Sequence, residues 1–356
     1  MSQSIQLATV EDGEEILQLL EKSTNKAPLD LIYTRRPNVY TSYINESRDS
    51  RLYVIKEDER LIASFACIPR TLWMDGVPKK VGYICGVKKD EKYKQNVNWY
   101  RAILRTIKDV DMDYFFCSIL KDNNRAVNLF EKERKYLMNM NNCGEYITYI
   151  LKPYFKFNIS HSYSFRQATK KDENNIIEFI NKESREKNLA PVIKNIEEYK
   201  NLKIEDFYIL ENSGNILGVA ALWNQTNYRQ YIVKKYRGIF KFIRILNPVL
   251  SRLGYISMPK ENEVLNFPML SFFITKDNDM NYYKIFLNNI NKIISKEYGI
   301  YVIGAHKDSL QNDIYKKLRN LHFNSKIYLL DTSNIRGKVE ESFDNNMQFN
   351  LECGML

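Results

Sequence analysis

The sequence predicts an α/β (α+β) protein built from two like domains, each a mixed, mostly antiparallel sheet flanked by helices. Three observations carry that prediction. The first is an internal echo. Ser4-Ile5-Gln6-Leu7-Ala8-Thr9-Val10-Glu11-Asp12 opens the chain, and Ser164-Phe165-Arg166-Gln167-Ala168-Thr169-Lys170-Lys171-Asp172 reopens it near the midpoint. Both copies run into apolar positions at helical spacing: Ile16, Leu17, Leu19 and Leu20 in one, Ile176, Ile177, Phe179 and Ile180 in the other. Each copy therefore reads as a short strand, a Thr-x-x-Asp helix start and an amphipathic helix. The second observation is that hairpins, helices and buried strands then follow in the same order in both halves. The third is length: 356 residues make two domains, each large enough to bury its own core. A repeat this long is neither a solenoid unit nor a propeller blade.

In the first half, Arg51-Leu52-Tyr53-Val54-Ile55-Lys56 is a strand, Glu57-Asp58-Glu59-Arg60 its turn, and 61–68 the antiparallel return. Asp75-Gly76 signals a second hairpin, followed by a strand over 81–87. Residues 97–110 read as a helix with Ile103, Ile107 and Val110 on one face. Residues 114–119 form a buried strand, Asn123 caps a helix carrying Ala126, Val127, Leu129 and Phe130, and 146–151 closes the half. The second half repeats this pattern with a hairpin over 207–222, a central strand over 270–274, a helix from Tyr282, a buried strand over 300–305 and a closing strand over 321–330.

The implied division is an N-terminal domain over 1–152, a linker over 153–163 punctuated by Pro153, a C-terminal domain over 164–331, and a polar C-terminal tail over 332–356. The second domain carries an insertion, 224–266, that the first lacks. Within it, 231–253 is a basic amphipathic segment. Ile239, Phe242, Ile243, Leu246, Val249, Leu250 and Leu253 recur at helical spacing, Lys234, Arg237, Lys241 and Arg244 lie on another face, and Pro248 interrupts. Such a helix either lies peripherally on an anionic membrane or acidic partner, or covers one end of the second domain with its cations in water.

Hydrophobic residues make up 44% and charged residues 27%, as in globular proteins. Met1-Ser2-Gln3-Ser4 leads into polar sequence, and no run is long and uncharged enough to span a bilayer, so a cytoplasmic location without stable membrane insertion is expected. The five cysteines form no CxxC pair and sit largely in strand-like runs, as reduced thiols do. The three histidines have no ligand-like spacing, so no metal is expected. The net charge of +10 favours anionic partners such as phosphates, CoA-type cofactors, nucleic acid or acidic membranes, or else reflects a solvated Lys/Arg surface. No basic motif with interleaved aromatics is visible, so nucleic acid is not an expected partner.

The order strand, helix, hairpin, central strand, loop, helix, strand, helix, strand resembles that of the Gcn5-related N-acetyltransferases (GNAT). Ile5-Gln6-Leu7-Ala8-Thr9-Val10-Glu11-Asp12 resembles the family's opening strand and first helix start. Asn123-Asn124-Arg125-Ala126-Val127-Asn128-Leu129-Phe130-Glu131-Lys132 resembles its Asn-x-x-Ala…Tyr-Glu-Lys helix. Asp90-Glu91-Lys92-Tyr93-Lys94-Gln95-Asn96-Val97-Asn98-Trp99 stands in the place of its acyl-CoA pyrophosphate loop. In the second half, Ala221-Leu222-Trp223-Asn224-Gln225-Thr226-Asn227-Tyr228-Arg229-Gln230 is similar to the C-terminal half of tandem GNAT proteins.

The resemblance implies two tandem GNAT-like domains. In that fold a central strand splays from its neighbour and acyl-CoA lies in the gap, its pyrophosphate held by a loop and a helix N-terminus. Carried onto this chain, it implies contacts to acetyl-CoA or another acyl-CoA co-substrate from Val87, Lys88, Lys94, Gln95, Asn96, Val97, Asn98 and Asn123. The acceptor it implies is a small-molecule or peptide amine.

The sequence departs from the family's Arg/Gln-x-x-Gly-x-Gly/Ala pattern. Lys94 stands at the Arg/Gln position, Val97 at the first glycine and Trp99 at the second, which places an indole where the backbone would meet phosphate. The corresponding loop of the second half, from Thr275 to Tyr282, has no glycine and two carboxylates that would repel a pyrophosphate. The family's general acid, a tyrosine on the last helix, is matched by Phe130 in the first half and by Tyr315 in the second. Tyr315 is thus the candidate catalytic residue, or else an ordinary helix aromatic packed on the sheet. Glu91 or Glu145 is available as a base, although spacing singles out neither. Arg35 and Arg36 either face an acidic substrate or belong to a solvated turn. Two functions follow: an acyl-CoA-dependent N-acyltransferase with its cofactor in the first half, or a catalytically inactive GNAT-fold protein that binds a ligand or partner.

Overall fold

Both predicted helix starts form. Asp12 accepts hydrogen bonds from the Thr9 amide (2.8 Å) and hydroxyl (3.2 Å), and Asp172 repeats this with Thr169 (2.8 Å to each). The computed structural model describes residues 3–22, 29–131, 141–153, 155–159, 162–253, 258–332 and 349–356. Parts of the expected linker (154 and 160–161) and most of the expected tail (333–348) lie outside them, as does the side chain of Phe130.

The first half contains β1 (Ser4–Leu7), α1 (Gly13–Lys22), β2 (Leu29–Thr34), α2 (Val39–Glu46), β3 (Arg51–Glu57), β4 (Arg60–Met74), β5 (Val77–Lys89), α3 (Trp99–Asp109), β6 (Tyr114–Leu120), α4 (Asn124–Glu131) and β7 (Asn141–Leu151). The second contains β8 (Ser164–Gln167), α5 (Glu173–Ser184), β9 (Phe207–Asn212), β10 (Asn215–Trp223), β11 (Gln230–Tyr236), α6 (Ile239–Arg252), β12 (Met269–Thr275), α7 (Met280–Glu297), β13 (Tyr301–His306), α8 (Gln311–Tyr315) and β14 (Asn320–Asp331). The apolar faces predicted for α1 and α5 are the buried ones: Ile16, Leu17, Leu19 and Leu20 on the first, Ile176 and Ile180 on the second.

Among the described residues, twelve of these strands form one sheet in the order β1-β3-β4-β5-β6-β14-β7-β13-β12-β10-β9-β8. The two halves exchange their closing strands. β14 lies antiparallel beside β6, with Tyr328 opposite Cys117, and β7 lies antiparallel beside β13, with Ile150 opposite Val302. The exchange pairs strands that would otherwise be open edges at the centre of the molecule, and it buries Ile327, Tyr328, Leu329 and Leu330.

A second junction is a two-stranded sheet of β2 and β11, with Tyr33 opposite Tyr231 and Ile32 opposite Ile232. The N-terminal part of the expected amphipathic helix is therefore a strand, and helix begins only at Ile239 after Gly238. The aromatic and β-branched residues Tyr231, Ile232 and Val233 suit a ladder, and a partner strand decides between the two periods. A third junction is the end of the described chain. Residues 349–356 pack between β12 and β13, with Leu351, Cys353 and Met355 buried. Among the described residues no helix is long and apolar enough to cross a membrane.

Candidate functional site

Each half contains a parallel strand pair that separates. β5 and β6 are paired only from Val81–Tyr114 to Ile84–Cys117, although both strands continue. β12 and β13 pair at Met269–Val302 alone. Both separations begin at a bulge in the central strand. In β5 the register against β4 shifts between Ser64 and Ala66, around Gly86 at φ +60°. In β12 the register against β10 shifts between Val219 and Ala221, around Phe272 at φ +53°. A bulge re-aims backbone groups out of the ladder and bends the strand, which opens a gap toward its C-terminal end. Gly86 is required twice over: its φ suits glycine, and the Tyr43 hydroxyl occupies the place of a Cβ.

The end of the first gap gathers the residues expected to hold the acyl donor. Val87 and Lys88 close β5, Lys94 to Asn98 form the loop into α3, and Asn123 follows the end of β6. Gln3 stitches this loop in place. Its Nε2 donates to the Tyr93 hydroxyl (3.0 Å) and the Asn96 carbonyl (2.7 Å), and its Oε1 accepts from the Asn98 amide (3.0 Å). Lys89 Nζ donates to the Gln95 carbonyl at 2.6 Å. Asn98 caps α3 by accepting from the Arg101 amide (3.0 Å), and Asn123 caps α4 by accepting from the Ala126 amide (3.2 Å). Both caps are neutral. Lys94, Gln95, Asn96 and Asn98 are exposed, and burial pushes the Lys88 ammonium below its ordinary pKa, against the pull of Glu91.

Two expectations at this loop change. Val97 is buried, so it is a core residue beneath the loop. Trp99 is partly buried and packs its indole roughly perpendicular to the Phe65 ring (6.4 Å between ring centres), at the edge of the core. Tyr315 lies apart from this end. Its side chain is wholly buried beside Tyr149, its hydroxyl hydrogen-bonds that of Tyr283, and burial drives its pKa far above the ordinary value. Glu145 pairs with Lys121 (2.7 Å), and Glu91 is exposed.

Residues 350–354 of the chain itself enter the second gap. Glu352 Oε2 accepts from the bulge amide of Phe272 (2.6 Å) and Oε1 from Gly354 (3.2 Å). Gly354 sits against Trp223 and Ser271, where a Cβ would collide. A cavity of about 30 Å³ remains between β12, β13 and residues 350–353, room for about one water. Burial raises the Glu352 carboxyl above its ordinary pKa despite these hydrogen bonds. The adjoining loop has also committed donors to carboxylates of this chain: the Asp277 amide to Glu183 (2.9 Å), and those of Asn281 and Tyr282 to Asp279 (2.6 and 3.2 Å).

At the junction of the halves lies a buried charge cluster. Arg35, at the end of β2, and Arg70, on β4, both pair with Glu46 of α2 (2.6 and 3.1 Å). Arg229, just before β11, donates to a carboxylate oxygen of Leu356, the last residue of the sequence. Arg35 also donates to Ser42 (3.0 Å), and its guanidinium lies over the Tyr43 ring at 3.8 Å. Arg35 and Arg229 are 2% and 7% exposed, and the Arg70 and Glu46 side chains 7% and 4%. Burial alone would raise the Glu46 carboxyl, but Arg35, Arg229 and Arg70 together hold it below its ordinary value. Burial pushes the nearby Cys85 thiol up to about 12. Tyr43 ties the cluster to the first gap, with its ring under Arg35 and its hydroxyl at Gly86. The Arg35-Arg36 pair is split: Arg36 is on the surface, paired with Glu21 at 2.8 Å.

Sequence reasoning missed Gly86, Tyr43, Glu46, Arg70 and Arg229. Only Gly86 carried a readable signal, as a glycine inside a strand pattern marks a bulge or a close approach. Among the described residues, no group of three or more His, Cys, Asp or Glu is placed to hold a metal ion.

No protein-family model matches the sequence, and no curated protein matches it. Solved structures do match in three dimensions. Saccharomyces cerevisiae N-myristoyltransferase with bound myristoyl-CoA aligns with a TM-score of 0.59 at 10% identity, over 93% of this chain and 83% of that one. A conserved protein of unknown function from Enterococcus faecalis aligns with a TM-score of 0.54 at 9% identity, over 93% and 73%. A GCN5-related N-acetyltransferase from Anabaena variabilis aligns with a TM-score of 0.53 at 10% identity, over 92% and 72%. Identities this low speak to architecture alone, and over nearly its whole length this chain has the fold of the Gcn5-related N-acetyltransferases.

Proposed function

We propose that this protein is an acyl-CoA-dependent N-acyltransferase that takes its acyl donor in the gap between β5 and β6. The observation that carries this reading is the asymmetry of the two gaps: in the second Glu352 takes up the bulge amide of Phe272, whereas the first ends among neutral helix caps and lysines. In this reading the amides of the Gly86–Val87 bulge meet the pantetheine arm. The N-terminus of α3 and the side chains of Lys88 and Lys94 receive the pyrophosphate, with Gln95, Asn96 and Asn123 at the rim. Val97 supports the loop from below. The bound group would supply an activated thioester. The chain's own contribution is to position it against an amine and exclude water, which accounts for much of the rate in a transfer of this kind. Tyr315, enclosed in the second half, serves as packing. A small-molecule or peptide amine is the acceptor.

Calorimetric titration with acetyl-CoA and with myristoyl-CoA tests the reading and reports the acyl length preferred. Binding is expected for the wild type, with about tenfold weaker affinity in Lys94→Glu, because one cation becomes an anion beside the pyrophosphate. No heat from either ligand at millimolar concentration would remove the proposal. Binding without release of free CoA across a panel of amines would favour the inactive, ligand-binding alternative.

A second reading, peripheral contact with an anionic membrane through 231–253, is supported by the surface of α6. Phe242, Ile245, Leu246, Val249 and Leu253 lie along one face, 59–68% exposed. Lys234, Lys235, Lys241 and Arg252 are exposed around them, and no Asp or Glu occurs between 230 and 260. A second copy of this face would set cations against cations, whereas acidic lipid headgroups would complement them. Co-sedimentation with phosphatidylserine vesicles is expected at low salt and is expected to be lost in Phe242→Ser/Leu246→Ser. Equal sedimentation of both proteins would refute it.

A further inference from the structure

We propose that the amine acceptor is a headgroup of the bilayer, an aminophospholipid such as phosphatidylethanolamine, and that α6 holds the mouth of the first gap against the membrane that supplies it. The inference deepens both readings above and rests on them: acyl transfer in the first gap, and contact with an anionic surface through α6.

The helix α6 is amphipathic with its sides reversed. The side turned to the protein is pinned by polar groups. Arg244 Nε donates to the Pro259 carbonyl (3.0 Å), buried Asn247 accepts from the Met258 amide (2.8 Å), and the Ser251 carbonyl accepts from Lys152 (3.2 Å). Ile243 and Leu250 are half-buried beside them. The side turned outward carries Phe242, Ile245, Leu246, Val249 and Leu253. Large apolar side chains left outside, with polar ones held inside, mark a face made for an apolar phase beyond the protein.

Charge selects that phase. Three segments come together here: 230–260, then 152–163 through Lys152 on Ser251, and 314–321, whose Asn320 stands opposite Leu151. None of them contains an Asp or Glu. Lys156, Lys241, Arg252, Lys316, Lys317 and Arg319 are exposed on them. Apolar side chains ringed by cations match acyl chains beneath anionic headgroups.

Strand direction places this face at the mouth of the donor gap. β5 and β6 run parallel and separate toward their C-terminal ends. β14 is antiparallel to β6, and β7 is antiparallel to β14, so β7 runs with β5 and β6. Leu120, at the end of β6, stands level with Ser325 and Tyr146, and β7 continues to Leu151, roughly 17 Å further. Lys152 follows and holds α6 by Ser251. A bilayer seated on α6 therefore lies at the end of the sheet onto which the first gap opens.

The CoA moiety is polyanionic and stays in water, so what a bilayer surface offers this gap is an amine headgroup. In phosphatidylethanolamine the amine is an ethylene arm away from a phosphate, and cations that take the phosphate bring the nitrogen to the rim. The neutral amine attacks the thioester carbonyl. A C–N bond forms, the C–S bond breaks with its electron pair passing to sulfur, and the proton lost by nitrogen ends on that sulfur. The products are an N-acyl phospholipid and free CoA.

The test measures free CoA, and N-acyl lipid by mass spectrometry, for the full chain with acetyl-CoA or myristoyl-CoA and vesicles. Phosphatidylethanolamine mixed with phosphatidylglycerol is expected to give both products. Phosphatidylcholine mixed with phosphatidylglycerol is expected to bind the protein equally and give neither. Water-soluble O-phosphoethanolamine at equal amine concentration is expected to react about tenfold more slowly or less, because docking raises the effective concentration of the lipid amine. Phe242→Ser/Leu246→Ser is expected to lose about tenfold or more of the lipid product while keeping the wild-type affinity for acyl-CoA in calorimetry. No N-acyl lipid from ethanolamine vesicles that bind the protein, an equal rate with the soluble amine, or an undiminished lipid product in the double variant would overturn the inference. So would a dimer that the double variant abolishes, formed without vesicle binding, which would assign the face to a second copy. The vesicle comparison on the wild-type chain decides the matter even if the variant does not fold. Failure of acyl-CoA to bind removes the acyl-transfer reading and this inference with it; acyl-CoA and vesicle binding without lipid product removes this inference alone.

Discussion

Glu46 shows how much one side chain can decide. It is the carboxylate that Arg35 and Arg70 share in a cluster that also buries Arg229, and those cations outweigh burial and hold its pKa below the ordinary 4.5. A depressed carboxyl contributes stability that is present above its unfolded value and is lost as pH falls through the folded one. Acid unfolding is therefore expected to set in below about pH 4.5, and Glu46→Gln is expected to remove that component. At neutral pH, Glu46→Gln is expected to cost about 3–5 kcal/mol in urea unfolding, because it strands buried cations. A loss under 1 kcal/mol would show that other groups already compensate them. None of this was readable from spacing. Glu46, Arg70 and Arg229 lie far apart in sequence, and adjacent Arg35 and Arg36 meet opposite environments.

Among the elements, the bulge of β5 matters most. It ends the pairing with β6, and it depends on a residue that accepts φ +60° beneath the Tyr43 hydroxyl. Gly86→Ala is expected to cost about 1–2 kcal/mol from the backbone alone. It should also weaken acyl-CoA binding about tenfold or more by displacing Tyr43 and the neighbouring amides; unchanged calorimetric affinity would separate the bulge from the donor site. Helix starts were legible because a capping side chain acts within three residues of its target, as Asp12, Asp172 and Asn123 do. The segment before α6 was misread because Tyr231 to Tyr236 fits either period until β2 supplies a ladder. Trp99 was placed over the phosphate position by its slot in a motif. Its indole packs against Phe65 and is partly buried, because helix phase decides where an aromatic ring goes.

At the scale of the molecule, the exchange of β7 and β14 makes each half's sheet depend on the other. A fragment of residues 1–152 would expose the edge of β6 that β14 covers along Ser325–Asp331, and would leave β7 without its neighbours. It is expected to aggregate or stay partly unfolded alone, and to recover native-like circular dichroism when refolded with a fragment of residues 153–356. Cooperative unfolding of 1–152 by itself would show that it can take back its own closing strand.

By itself the sequence determined the repeated helix starts, the order of most strands and helices in each half (β2 and β11 excepted) and the likeness to the GNAT arrangement. These are local matters of period, capping and turn chemistry, and neighbouring residues settle them. Tertiary structure alone decided which closing strand pairs with which half, that residues 350–353 enter the second gap, and that Arg35 and Arg70 from distant segments meet on Glu46. Each of those outcomes depends on burial and on partners brought from elsewhere in the chain, which no window of sequence contains.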